Sequence, residues 1–262
     1  MRPNRLKQLQ QEKRTAVNAW VSMGSGYLAE VLGHSGFDAV TVDLQHAPFG
    51  FDQAVHLLQA ISSTPAVPLA RCAGLTLAEI NKLLDAGAYG IICPLIDSVD
   101  EAALFARSCR YPPRGARSFG PARGLLYGGS DYLSKADDEI LSLAMIETPN
   151  ALEQIERIME VDELDGVYVG PSDLGIAMGL GPNAWPDERI TQAIEHILDV
   201  AHARGKYAGI FCGPAAMGEA CTALGYDLVT PGNDVNLLRA GATERIEGVR
   251  NAQRDLATAP SR

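Results

Sequence analysis

Short, unbroken apolar runs alternate along this chain with longer amphipathic segments. The runs are Val17–Val21, Ala39–Leu44, Val67–Arg71, Gly90–Pro94, Leu143–Ile146, Gly166–Val169, Tyr207–Phe211 and Leu228–Thr230. Each reads as a strand. Hydrophobicity that is continuous rather than alternating is what strands covered on both faces require. The amphipathic segments between them read as helices, several with start signals. Thr76-Leu77-Ala78-Glu79 and Ser98-Val99-Asp100-Glu101 fit the capping box, and Thr148-Pro149 fits an N-cap followed by proline at the first helical position. Gly36, Gly87 and Gly225 each stand just before a strand, where glycine can adopt the left-handed turn that ends a helix.

Eight strand–helix repeats predict an α/β fold, a single (β/α)8 TIM barrel over residues 1–262. An open doubly wound sheet is the competing architecture, but no GxGxxG or GxxxxGK[ST] loop follows any strand. One segment, residues 111–138, is too long for a turn and reads as a functional loop. Its arginines, Arg114, Arg117 and Arg123, suit an anionic substrate or a solvated loop equally.

Composition narrows the class. With 262 residues, 47% of them hydrophobic and 21% charged, the chain can bury a large core. The net charge of −10 disfavours nucleic acid and anionic lipid as partners. The basic first fourteen residues lack the apolar stretch of a secretory signal, and no run approaches the ~18 apolar residues of a membrane span. Five dispersed cysteines without a CxxC pair read as reduced thiols in a cytoplasmic protein.

The candidate chemistry sits at strand ends. Glu147 closes the fifth run and Asp173 follows the sixth, so parallel strands would deliver both acids to one end of the barrel. Two converging carboxylates suit a hard divalent cation, which takes oxygen ligands and keeps places for substrate and water. Either acid alone could instead be a helix N-cap. His46, after the second run, is a candidate general base, with Asp43 placed to hold its tautomer. Arg71 ends the third run, where a charge is costly unless it meets an anion. Phe211, Cys212 and Asn233, at the ends of the last two runs, would shape the substrate pocket. Of the five lysines, Lys7 and Lys13 lie in the basic first fourteen residues, Lys82 in a helix, Lys135 in the long segment and Lys206 at the start of a strand, which disfavours Schiff-base chemistry. No GxSxG elbow is present.

The runs Val42-Asp43-Leu44-Gln45-His46, Tyr111-Pro112-Pro113-Arg114-Gly115, Ile146-Glu147-Thr148 and Val169-Gly170-Pro171-Ser172-Asp173-Leu174 resemble the HpcH/HpaI aldolase family over about residues 15–250. The resemblance implies a class II pyruvate aldolase that reversibly cleaves 4-hydroxy-2-oxo acids to pyruvate and an aldehyde. It implies that Glu147 and Asp173 bind Mg2+, Mn2+ or Co2+, that Arg71 stabilises the enolate, and that His46, oriented by Asp43, moves a proton. Substrate contacts are then expected from Arg71, Arg123, Phe211, and Ser172 and Asp173, whose backbone donors would hold the pyruvate carboxylate. It also implies a homohexamer in which residues after Asp234 are exchanged between subunits. The chain departs from the family where Gln45 replaces a common glutamate and Met145 a common glutamine. The alternatives are a CoA-thioester lyase of the citrate-lyase-like branch, an oxaloacetate decarboxylase, and a non-catalytic metabolite-binding barrel.

Overall fold

The computed structural model describes residues 1–258. Eight parallel strands close a barrel in chain order: β1 (Ala16–Val21), β2 (Ala39–Asp43), β3 (Val67–Arg71), β4 (Gly90–Cys93), β5 (Leu141–Ile146), β6 (Gly166–Val169), β7 (Tyr207–Phe211) and β8 (Leu228–Thr230). The closing pair is β1–β8, with Ala16 opposite Leu228 and Val17 opposite Val229. The strand expectations hold to within one or two residues at each end.

The helices run α1 (Arg5–Gln11), α2 (Gly26–His34), α3 (Phe51–Ser62), α4 (Leu77–Asp85), α5 (Val99–Ser108), α6 (Ala122–Gly128) and α7 (Tyr132–Glu139). They continue with α8 (Pro149–Glu153), α9 (Ile155–Ile158), α10 (Pro171–Ala177), α11 (Glu188–Ala203), α12 (Ala215–Leu224) and α13 (Asp234–Thr258). None among the described residues is long and apolar enough to cross a membrane.

Two layers of core explain why the strand runs are continuous. One set of strand side chains packs outward with Leu57, Leu83, Phe105 and Ile197 of the surrounding helices. The other fills the barrel with Trp20, Leu69, Ile92, Leu143, Met145, Tyr168 and Tyr207. Leu6 and Leu9 of α1 join this inner set and plug the N-terminal mouth. A polar layer interrupts it, in which Asn18 bonds Thr230 at 2.9 Å and Thr41 at 3.1 Å, and Tyr168 Oη lies 2.6 Å from the Thr230 hydroxyl. Each partner satisfies another, as buried polar groups require.

The helix ends agree with expectation in part. Thr148 accepts from Ala151 N–H at 3.1 Å, and Gly36, Gly87 and Gly225 have φ of 98°, 102° and 104°. The box at Ser98 forms in a shifted version, since the Glu101 carboxylate takes the N–H of Asp97 and the Ser98 hydroxyl. The box at Thr76 does not form. Its side chain makes no cap, and Glu79 reaches past it to Ala73 N–H at 3.2 Å.

Residues 111–138 are a loop only in part, irregular up to Pro121. They carry α6 and most of α7, and join the end of α5 to the start of β5. A connection from a helix to the next strand belongs to the N-terminal mouth, opposite Glu147 and Asp173. Its contacts agree, with Arg2 N–H donating to Gly128 O at 2.8 Å and the Asn4 amide to Glu139 O at 2.7 Å. Some of its glycines serve close packing. A Cβ at Gly128 would meet the Tyr132 ring at 2.5 Å.

Candidate active site

The C-terminal ends of β1, β2, β3, β5, β6, β7 and β8 surround a cavity of about 310 Å3. Trp20, Ser22, Asp43, His46, Arg71, Met145, Gly170–Asp173, Phe211 and Asn233 line it. Arg71 is the last residue of β3 and only 7% exposed. Its Nε and Nη2 donate to the two carboxylate oxygens of Asp43 at 2.9 and 2.7 Å, and its guanidinium lies 4.8 Å over the Trp20 ring. Nη1 keeps no hydrogen bond among the described residues, so both its N–H groups remain free. Trp20 is itself held between Tyr168 and Phe211, with ring centroids 5.6 Å from each.

Asp43 therefore does something other than expected. Its carboxylate does not bond the His46 ring. Oδ1 accepts the backbone N–H groups of Gln45 at 3.0 Å and His46 at 3.4 Å, which fixes the turn that carries the histidine. The reason is competition, because a buried guanidinium fork is a stronger partner for a carboxylate than a neutral imidazole. Burial acts to raise the Asp43 carboxyl, but the hydrogen bonds and charge of Arg71 outweigh it and hold the group below the ordinary carboxylate value. His46 itself is exposed at the cavity wall.

Glu147 is 2% exposed and stands at the cavity edge behind Gly170. A Cβ at Gly170 would lie 2.7 Å from Glu147 Oε2 and 2.9 Å from Met145 Cε, so only glycine lets β6 pass this close. Oε1 accepts the N–H of Leu95 at 2.8 Å, and no other hydrogen bond reaches the carboxylate among the described residues. Burial pushes the carboxyl above its ordinary value and the charge of Asp173 adds to the push, while Leu95 N–H and Arg71 act against it. Asp173, in the first turn of α10, lines the cavity. The N–H groups of Ser172 and Asp173 have no partner among the described residues.

This donor set fits a hard divalent cation. A buried carboxylate with one oxygen unpaired, pushed toward neutrality by burial and further by a second carboxylate, is the arrangement a cation would relieve. No third His, Cys, Asp or Glu joins them among the described residues, which leaves the remaining coordination places to water and substrate.

Other expectations divide. Ser172, Phe211 and Asn233 line the cavity, whereas Cys212 lines a smaller adjoining pocket of about 100 Å3 with Trp185 and Met217. The structure does not bring Arg123 to the cavity of this chain. It lies on the N-terminal side, with Nη1 donating to Ala86 O at 2.6 Å at the end of α4. Arg114 pairs with Glu163 and Asp138, and the buried Arg117 with Asp85 and the Tyr132 hydroxyl. None of the three lines the cavity, because the segment carrying them joins a helix to a strand. None of the five lysines lines the cavity, and Lys206 spends its ammonium on the carbonyls of Val161 and Leu164. Trp20, Ser22 and Leu95 belong to the site without having been expected there. The position of Trp20 at the end of the first apolar run was a signal for it, but Leu95 offered none.

A barrel that gathers an acid pair, an arginine and a histidine at the C-terminal ends of its strands is built as an enzyme. The chain belongs to the HpcH/HpaI aldolase/citrate lyase family, whose model matches residues 17–240. A hydroxypyruvate/pyruvate aldolase of Rhizorhabdus wittichii is 41% identical over 94% of this chain and 99% of its own. A 4-hydroxy-2-oxo-heptane-1,7-dioate aldolase of Salmonella dublin is 34% identical over 91% and 92%. Among solved structures, an HpcH/HpaI aldolase/citrate lyase family protein from Burkholderia cenocepacia superposes with a TM-score of 0.87 at 28% identity, covering 94% of this chain and 99% of its own. The chain is a carbon–carbon lyase of the aldolase type.

Proposed function

We propose that this enzyme reversibly cleaves 4-hydroxy-2-oxo acids to pyruvate, or a related 2-oxo acid, and an aldehyde. The observation that carries the reading is the meeting of Arg71, His46 and Asp173 on one cavity, with Glu147 at its edge and every lysine elsewhere. Glu147 and Asp173 would hold Mg2+, Mn2+ or Co2+. When bound, such a cation supplies Lewis-acid polarisation of the 2-oxo group.

The residues of the chain do the rest. Arg71 offers Nη1 to the oxygen on which negative charge develops, and Asp43 holds the guanidinium in place beforehand, so that little reorganisation accompanies reaction. The N–H groups of Ser172 and Asp173 receive the 2-oxo acid carboxylate. His46, at the open wall, moves a proton to or from the C4 hydroxyl through a water. Trp20 and Phe211 offer an apolar wall to the aldehyde.

The last helix supports a multimeric reading. From Leu238 onward nearly every described position of α13 is exposed, with Leu238, Ile246 and Val249 at 59%, 49% and 63%. A helix that stands off its own barrel with apolar residues uncovered suits exchange between subunits, in a homohexamer; light scattering gives the mass directly.

The reading is tested by removing metal. Exhaustive chelation abolishes pyruvate formation, and Mg2+, Mn2+ or Co2+ restores it. Full turnover in excess chelator, or a borohydride-trapped pyruvate–lysine adduct, contradicts the mechanism.

A further inference from the structure

Leu95 has φ of 54°, one of two non-glycine residues with positive φ among those described. Its side chain does not explain this conformation, because it is 55% exposed. Glycine is the residue that normally occupies such a position at no steric cost. Its backbone supplies the explanation: the N–H points at Glu147 Oε1 from 2.8 Å, and this is the only hydrogen bond to that carboxylate among the described residues. The turn is held from its other side as well. Asp97 O accepts the side-chain amides of Asn150 and Gln154 at 2.8 and 2.9 Å, and the Thr148 hydroxyl donates to the Asp97 carboxylate. Ile96 N–H lies 3.4 Å from Met145 O on the neighbouring strand. The left-handed residue is thus clamped between β5 and α8.

The geometry points to Leu95 as a positioning residue, whose main-chain N–H occupies Glu147 Oε1 and so reserves Oε2, the oxygen against Gly170, for the cation. This rests on the proposed role of Glu147 as a metal ligand. A carboxylate free to swing could chelate through both oxygens or turn away; one held at Oε1 presents a single oxygen in a fixed direction. Hydrogen bonds to ligating carboxylates orient them, and their loss weakens metal binding by about 10- to 100-fold. The role belongs to the amide and the left-handed backbone, not to the leucine side chain.

The test replaces the Leu95 amide by an ester, incorporating the α-hydroxy acid analogue of leucine by cell-free translation, beside Leu95→Gly and wild type. Mn2+ affinity is read by electron paramagnetic resonance of the free ion, with melting temperature as the fold control. The ester variant is expected to bind Mn2+ about ten-fold more weakly, about 1.4 kcal/mol, with its melting temperature unchanged. Leu95→Gly is expected to stay within two-fold of wild type. Unchanged affinity in the ester variant overturns the inference, and so does equal weakening in Leu95→Gly, which would assign the effect to the side chain. If the wild-type enzyme itself does not bind Mn2+, the ligand role of Glu147 fails first and the inference falls with it.

Discussion

Arg71 and Asp43 form a two-point ion pair across the ends of β3 and β2, where they also stand opposite each other in the strand register. Both are nearly excluded from solvent, with side chains 8% and 2% exposed. The pair decides which way the free Nη1 of Arg71 faces, so under the role proposed for Arg71 it links barrel stability to catalysis. Asp43→Ala leaves a buried guanidinium without its partner, which costs about 3–5 kcal/mol. Urea denaturation is expected to show a loss in that range. The turnover number is expected to fall by about 10²-fold or more, the magnitude typical of losing one preorganised charge-stabilising group, while Mn2+ affinity stays near wild type.

The same pair sets a pH dependence. The Asp43 carboxyl is held below its ordinary value of 3.8 in the folded state, burial being outweighed by Arg71. A depressed group stabilises the fold above its unfolded pKa and loses that contribution as pH falls through the folded one. The stability difference between wild type and Asp43→Asn is therefore expected to be constant from pH 7 down to about 4, and to shrink below it. Denaturation series at pH 2.5 to 7 measure it. A difference that instead grew toward acid would contradict the assignment.

Gly170→Ala separates metal binding from folding. Gly170 has φ of −103°, which any residue tolerates, so the only new cost is contact with Glu147 and Met145. Displacing Glu147 is expected to weaken Mn2+ binding by about ten-fold or more, the scale of losing an outer-shell support. Titration of Mn2+ into the folded variant, with circular dichroism confirming the barrel, is the check.

The arginines of the 111–138 segment give the opposite signature. Arg123→Gln removes a cap on α4 and is expected to lower stability by about 1–3 kcal/mol, with KM for the 2-oxo acid within two-fold of wild type. Arg117→Ala, which strips a buried charge from Asp85 and Tyr132, is expected to cost about 3–5 kcal/mol. Kinetics and thermal melts on the purified variants distinguish these outcomes. A large rise in KM for Arg123→Gln would return that residue to the substrate.

Much of this molecule was legible before its structure. Parallel strands buried on two faces leave unbroken apolar runs such as Gly166–Val169, and positions at their ends, as for Glu147 and Arg71, follow from direction alone. What could not be read was the partner of each group. Nothing in Asp43-Leu44-Gln45-His46 says that the carboxylate meets a guanidinium 28 residues on rather than the imidazole three away. Residues 111–138 misled because their length was taken for a loop, whereas two short helices, α6 and α7, fill much of it. Chain order did hold a clue, since that segment follows a helix and precedes a strand and so belongs at the mouth away from the acids. The left-handed Leu95 left no trace, because leucine seldom adopts that backbone.

The central claim, that this barrel forms a pyruvate enolate with a cation held by Glu147 and Asp173, is tested most directly by proton exchange. Pyruvate is incubated with the enzyme in D2O without aldehyde, and its methyl signal is followed by proton NMR. Loss of that signal with Mg2+ or Mn2+, abolished by chelation and by Glu147→Gln, is the predicted result. Exchange that continues at full rate in the metal-free enzyme or in Glu147→Gln would contradict it.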